Sequence, residues 1–196
     1  MKNSSEELEK KLKEYFSFYQ EKVLSKIRTI KEVTQWDDWG HWLLTHTEWV
    51  VFRWIYFALS LNENPIPVIF ACACHDLART DDEYNEIHWP KAVSIVKKLT
   101  DMFNDILTED EKEKIIYAVE NHTTWKIAPD YISACLRDAD RTRISRDWTY
   151  HEKFFNTPTW KKIAQEKPEI FLSFENKILW REKNDDRELV LIRNKF

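Results

Sequence analysis

Apolar positions recur at steps of three and four along most of this chain, which predicts an all-α protein. Leu8, Leu12, Tyr15, Phe16, Tyr19 and Val23 mark a first amphipathic helix with Glu and Lys on its other face. A second helix is expected from Trp42 to Leu61, apolar on most sides and therefore central. Asn62 to Pro67 reads as a turn and a new helix start, with Asn64 as cap and Pro65 at the first helical position. The run VIFACACHDL at 68–77 follows. Its length suits a strand or a helix, but the proline-led start and the alanines favour helix.

Residues 78–86 are polar and acidic and are expected to form a loop, and Pro90 opens a helix to about Leu99. Thr108 and Glu111 make a Thr-x-x-Glu capping box for a helix reaching about His122. Asp130 caps another, to about Ile144. Pro158 to Ala164 and Pro168 to Trp180 read as shorter helices, and ELVLI at 188–192 as a strand or a helix end.

Composition narrows the function. The chain has 196 residues, 43% hydrophobic and 33% charged, in keeping with one soluble globular domain. A net charge of −4 argues against nucleic acid as a partner but not against a small phosphorylated substrate. One glycine in the whole chain excludes phosphate loops of the Walker or Rossmann type. Phosphate chemistry would have to use side chains, metals or helix ends. Cys72, Cys74 and Cys135 are odd in number and two lie in an apolar run, so buried free thiols are expected, as in a reducing cytoplasm. The charged N-terminus lacks a signal-peptide core, and Arg53 interrupts the longest apolar stretch. Neither secretion nor membrane insertion is expected.

Several titratable residues fall on apolar faces. His75 and Asp76 end a buried helix, where an ionised carboxylate is costly unless a cation or an arginine compensates it. His46 sits mid-helix among Leu43, Trp49 and Val50, and His122 shares a face with Ile115 and Val119. Asp140 follows Leu136 and Ala139, whereas Asp138 points roughly 200° away and is expected to face solvent or pair with a base. Each residue alone is ordinary. Together His46, His75, Asp76 and Asp140, on three separate helices, form a two-imidazole, two-carboxylate set. Such mixed donors suit Mn, Fe, Co, Ni or Mg better than a structural zinc site.

The order His46, His75-Asp76, Asp140 resembles the signature of the HD superfamily of metal-dependent phosphohydrolases, in a small single-domain bacterial form. ACHDLART at 73–80, CLRDADRTRISR at 135–146, DDEYNEIHWPKAV and the ENHT at 120–123 carry the likeness, which spans about residues 40 to 165. One departure is that His41 lies five residues before His46, where related sequences often place a histidine four before. The resemblance implies an HD-type helical bundle, expected over 31–185; the amphipathic N-terminal helix within 1–30 is expected to pack on it, and 186–196 is left as a C-terminal segment. It implies a divalent metal ion held by His46, His75, Asp76 and Asp140, one per chain or, in a binuclear form, two.

The implied activity is hydrolysis of a phosphoester of a nucleotide or another small metabolite. Arg79 is the candidate for neutralising phosphate charge, and Asp82, or Asp81 beside it, for orienting water or protonating the leaving group. Asp76 joins them as a catalytic candidate. His88 and His122 are candidates for phosphate binding or a second metal, and Trp89 and Trp125 for pocket walls. Two other readings stay open: a nucleotide-binding HD-fold module without turnover, and a binuclear-iron oxygenase.

Overall fold

The computed structural model describes residues 5–30, 40–78, 88–124, 127–144 and 156–157. The chain divides into two compact units, Met1–Lys161 and Lys162–Phe196, and all described residues belong to the first. Their regular structure is all helical, and no strand occurs among them. The helices are α1 (Ser5–Phe18), a π-helical turn (Tyr19–Val23), α2 (Leu24–Ile27), α3 (Gly40–Ser60), α4 (Pro65–Cys74), α5 (His88–Asp101), α6 (Glu109–Glu120) and α7 (Tyr131–Ile144). The two helices expected after residue 158 and the segment 188–192 lie outside the described residues.

The first helix is amphipathic as its periodicity predicts: Leu12, Phe16, Tyr19, Val23, Ile27 and Ile30 are buried. It is not a uniform α-helix. The amide of Leu24 donates to the carbonyl of Tyr19, five residues back, in a π turn. Phe16 packs edge-on against Phe52 of α3, with ring centroids 5.8 Å apart.

Helix α3 is the spine. It packs against α1, α4 and α7, and Val50, Val51, Phe52, Trp54, Ile55, Phe57 and Ala58 are all buried. It ends in a Schellman motif: Glu63 N–H donates to Ala58 O at 2.8 Å and Asn62 N–H to Leu59 O at 3.2 Å. That closure needs a left-handed residue, and Asn62 takes φ of 59°. Asparagine tolerates this conformation better than other non-glycine residues.

Helix α4 starts as its sequence predicts. Asn64 Oδ1 accepts from Ile66 N at 3.1 Å, with Pro65 at the first position. Every residue from Pro67 to Cys74 is buried, and α4 contacts α3, α5, α6 and α7. An apolar run covered on all sides can be a helix when a bundle surrounds it, which decides against the strand alternative.

The remaining starts are local too. Thr108 and Glu111 form the reciprocal capping box at the head of α6. Asp130 Oδ1 accepts from Ser133 N at 2.8 Å at the head of α7. Helix α5 begins at His88, two residues before Pro90. Among the described residues, no helix is long and apolar enough to cross a membrane.

Candidate metal centre

Two histidines lie just beyond the C-terminal ends of two neighbouring helices. His75 follows Cys74, the last residue of α4, and His122 lies two residues past Glu120, the last of α6. The final carbonyls of a helix lack amide partners. Each imidazole supplies one. His75 Nδ1–H donates to Cys72 O at 2.7 Å, and His122 Nδ1–H donates to Val119 O at 2.7 Å. A carbonyl can only accept, so Nδ1 carries the hydrogen in both rings and Nε2 is the nitrogen turned to the interior.

Both Nε2 atoms meet Asp76. Its Oδ2 is 3.4 Å from His75 Nε2 and its Oδ1 is 3.7 Å from His122 Nε2. Asp140 of α7 approaches from the other side, its Oδ1 3.9 Å from His75 Nε2. The two rings stand perpendicular, with centroids 5.4 Å apart. His75, Asp76 and His122 are buried, while the Asp140 side chain keeps 22% of its surface and forms the exposed side of the cluster.

These separations exceed hydrogen-bond lengths. Donors bound at about 2.1 Å to one ion stand roughly 3 to 3.5 Å apart, so the cluster is slightly more open than a filled coordination shell. As they stand, no three His, Cys, Asp or Glu among the described residues could hold an ion alone. The chemistry of the donors nevertheless suits a cation. Burial pushes the His122 imidazole below its ordinary value, and His75 beside it adds to this, against the opposing pull of Asp76 and Asp140. A neutral His122 turns the Nε2 lone pair towards a carboxylate oxygen, an arrangement that positive charge between them relieves. The C-terminal ends of α4 and α6 add partial negative charge there.

Of the residues singled out in the sequence, His75, Asp76, Asp140 and His122 are thus brought together. His46 and His41 lie in α3 and His88 and Trp89 in the first turn of α5, with side chains outside the described set. Arg79, Asp81, Asp82 and Trp125 lie outside the described residues. The three cysteines are free and buried, as expected, and burial raises each thiol above its ordinary value. They are therefore poor thiolate ligands.

Asp138 corrects the sequence reading. It neither faces solvent nor pairs with a base; it is fully buried. Its Oδ1 accepts from Asn156 N at 2.6 Å and Asn156 Nδ2 at 2.9 Å, and its Oδ2 from Thr157 N at 2.7 Å. Burial raises its carboxyl above the ordinary value and these donors pull it partly back. Helical periodicity gave the right angle between Asp138 and Asp140. It carries no signal that the chain returns at 156 to cover that side.

The helical architecture and this cluster define a class: an all-α bundle with two imidazoles and two carboxylates gathered between its helices. The crystal structure of a predicted HD superfamily hydrolase from an uncultured Thermotogales bacterium is similar over 83% of this chain and 92% of its own, with a TM-score of 0.56 and 21% identity. At that identity the likeness speaks for the fold. No family model matches the chain. No curated protein matches it either.

Proposed function

We propose that this chain is a metal-dependent phosphohydrolase of the HD type, acting on a phosphoester of a nucleotide or another small phosphorylated metabolite. The observation that carries the reading is the buried Asp76 carboxylate, with the Nε2 atom of one histidine near each of its oxygens and the part-exposed Asp140 3.9 Å from His75. His46, His75, Asp76 and Asp140 would hold one divalent ion, with Mn, Fe, Co, Ni and Mg all compatible with nitrogen and oxygen donors. When bound, such an ion supplies Lewis-acid polarisation of a phosphoryl oxygen and readies water for attack near neutral pH.

The chain's own residues then position and neutralise. Water attacks phosphorus, the new P–O bond forms, the ester P–O bond breaks, and a proton reaches the departing oxygen. Arg79 is assigned to the phosphate charge, and Asp82 to orienting the water or protonating the leaving group. Trp89 and Trp125 are assigned to the pocket walls, and His88 to substrate contact. A phosphate-binding imidazolium is not favoured for His122, because burial lowers its proton affinity.

One observation favours a second, two-ion form of the reading. Asp76 has His75 near one oxygen and His122 near the other, so in that form these three residues would help to hold two ions. His122 would then belong to the second ion.

The test is elemental analysis of protein purified without chelator, beside Asp76→Ala, followed by a phosphatase and nucleotide screen with added Mn²⁺, Co²⁺ or Ni²⁺. About one transition metal per chain, lost in the variant, supports the single-ion form; about two supports the bridged form. A metal-free protein that takes up none of these ions and releases no phosphate overturns the reading. Metal-loaded protein that binds nucleotides without turnover would instead make it a binding module.

A further inference from the structure

Asp138 spends a buried carboxylate on three N–H donors, all from a segment 18 or 19 residues downstream. Its neighbour on the opposite side of the same helix is Asp140, directed at His75. Helix α7 is therefore tied by hydrogen bonds on the Asp138 side at the level where Asp140 approaches His75. We propose that Asp138 is a positioning residue for the metal centre: by tying Asn156 and Thr157 to α7, it fixes the rotation of that helix and so the placing of Asp140 against His75.

The proposal rests on the metal-centre reading above and deepens it. Its physical basis is leverage. A carboxylate about 6 Å from a helix axis moves roughly 2 Å when the helix turns by ~20°. Ligand distances in a working metal site hold to about 0.2 Å. Packing of apolar side chains alone tolerates small rotations, because dispersion contacts are individually weak and non-directional. Hydrogen bonds to an ionised group are directional and stronger than neutral ones. Both oxygens of Asp138 are engaged, one on the half-buried Asn156 and the other on the buried Thr157. That two-oxygen grip resists twisting in a way that a single bond does not.

Two variants test it. Asp138→Asn keeps the size of the side chain but sets an NH₂ group against one of the N–H donors. Asn156→Ala removes only the Nδ2 contact and leaves both backbone amides in place. Each is compared with the wild type, well below its melting temperature, by Mn²⁺ titration and by the ¹⁵N imidazole signal of His75 in metal-free protein. Helix content is checked by circular dichroism. Asp138→Asn is expected to retain its helices, weaken Mn²⁺ binding by about tenfold and shift the His75 Nε2 signal. Asn156→Ala should move both readouts less, in the same direction. Wild-type Mn²⁺ affinity and an unmoved His75 signal in Asp138→Asn, with only thermal stability lost, would overturn the proposal and leave a structural clamp. If Asp138→Asn does not fold, the same two readouts in Asn156→Ala decide. Absence of Mn²⁺ binding in the wild type would sink the metal reading, and the His75 signal would then decide the positioning role by itself.

Discussion

His75 and His122 are anchored alike and surrounded differently. Each donates Nδ1–H to a carbonyl three residues back, at the same 2.7 Å. His75 Nε2 then lies within 4 Å of two carboxylates, from Asp76 and Asp140, whereas His122 Nε2 lies 3.7 Å from Asp76 and feels Asp140 as a weaker electrostatic pull than Asp76. The shared part is local: a helix end leaves a carbonyl without an amide, and a histidine just beyond it fills the gap. The difference is tertiary. Helix α7 brings Asp140 within 3.9 Å of His75, and Asp140 adds a smaller pull on His122 than Asp76 does. Aiming an imidazole and placing charge around it are thus separate tasks, assigned to different levels of the structure.

Replacing each histidine should break that symmetry in a graded way. His75→Ala removes the nitrogen between two carboxylates, and Mn²⁺ affinity is expected to fall by about 100-fold or more. His122→Ala should cost about tenfold, near the lower end of what supporting groups contribute. Titration of the two purified variants reads this directly. In the two-ion form, His122→Ala would instead halve the metal content while leaving the first ion tight. A larger loss from His122→Ala than from His75→Ala would invert the comparison and displace Asp140 from the principal site.

What could be read from the sequence follows the same division. Caps were legible because they are contained within four residues: Asn64 with Pro65, Thr108 with Glu111, and Asp130 all act where the sequence puts them. His75 and Asp76 were legible as inward residues because they close an apolar run, and Asp140 because it follows Leu136 and Ala139 on one face of its helix. Two features were not. The π turn at Tyr19–Val23 leaves the buried steps Leu12, Phe16, Tyr19, Val23, Ile27 and Ile30 unchanged, so the pattern carries no trace of it. The surroundings of Asp138 and His122 depend on which segments pack against them, and periodicity within one helix cannot report that.

The acid response tests the surroundings of His122 by a second route. Burial lowers His122 in the folded protein, so the unfolded chain takes up its proton first. Between the ordinary value of 6.5 and the lower folded one, the unfolded state binds more protons, and stability falls with falling pH. The neutral ring therefore contributes stability fully above about pH 6.5, and this is lost as pH drops through the folded value. Metal-free wild type, kept in chelator, is expected to lose melting temperature from pH 7.5 to pH 5 more steeply than His122→Asn. Parallel slopes would mean that His122 titrates as in the unfolded chain and that its burial carries no electrostatic cost.

The smallest expected effect isolates the anchor itself. Thr108 caps α6 at the end opposite His122: its Oγ1 accepts from Glu111 N at 3.2 Å, and Glu111 Oε2 accepts from Thr108 N at 2.9 Å. Thr108→Ala removes half of this exchange and should cost about 1 kcal/mol. For a domain of this size that lowers the melting temperature by about 2–4 °C. Mn²⁺ affinity should not change, because His122 takes its orientation from Val119 in its own turn, roughly 20 Å along the helix from the cap. Loss of affinity in step with stability would mean that α6 transmits the cap to the site as a rigid rod. The orientation of His122 would then belong to the whole helix rather than to its last turn.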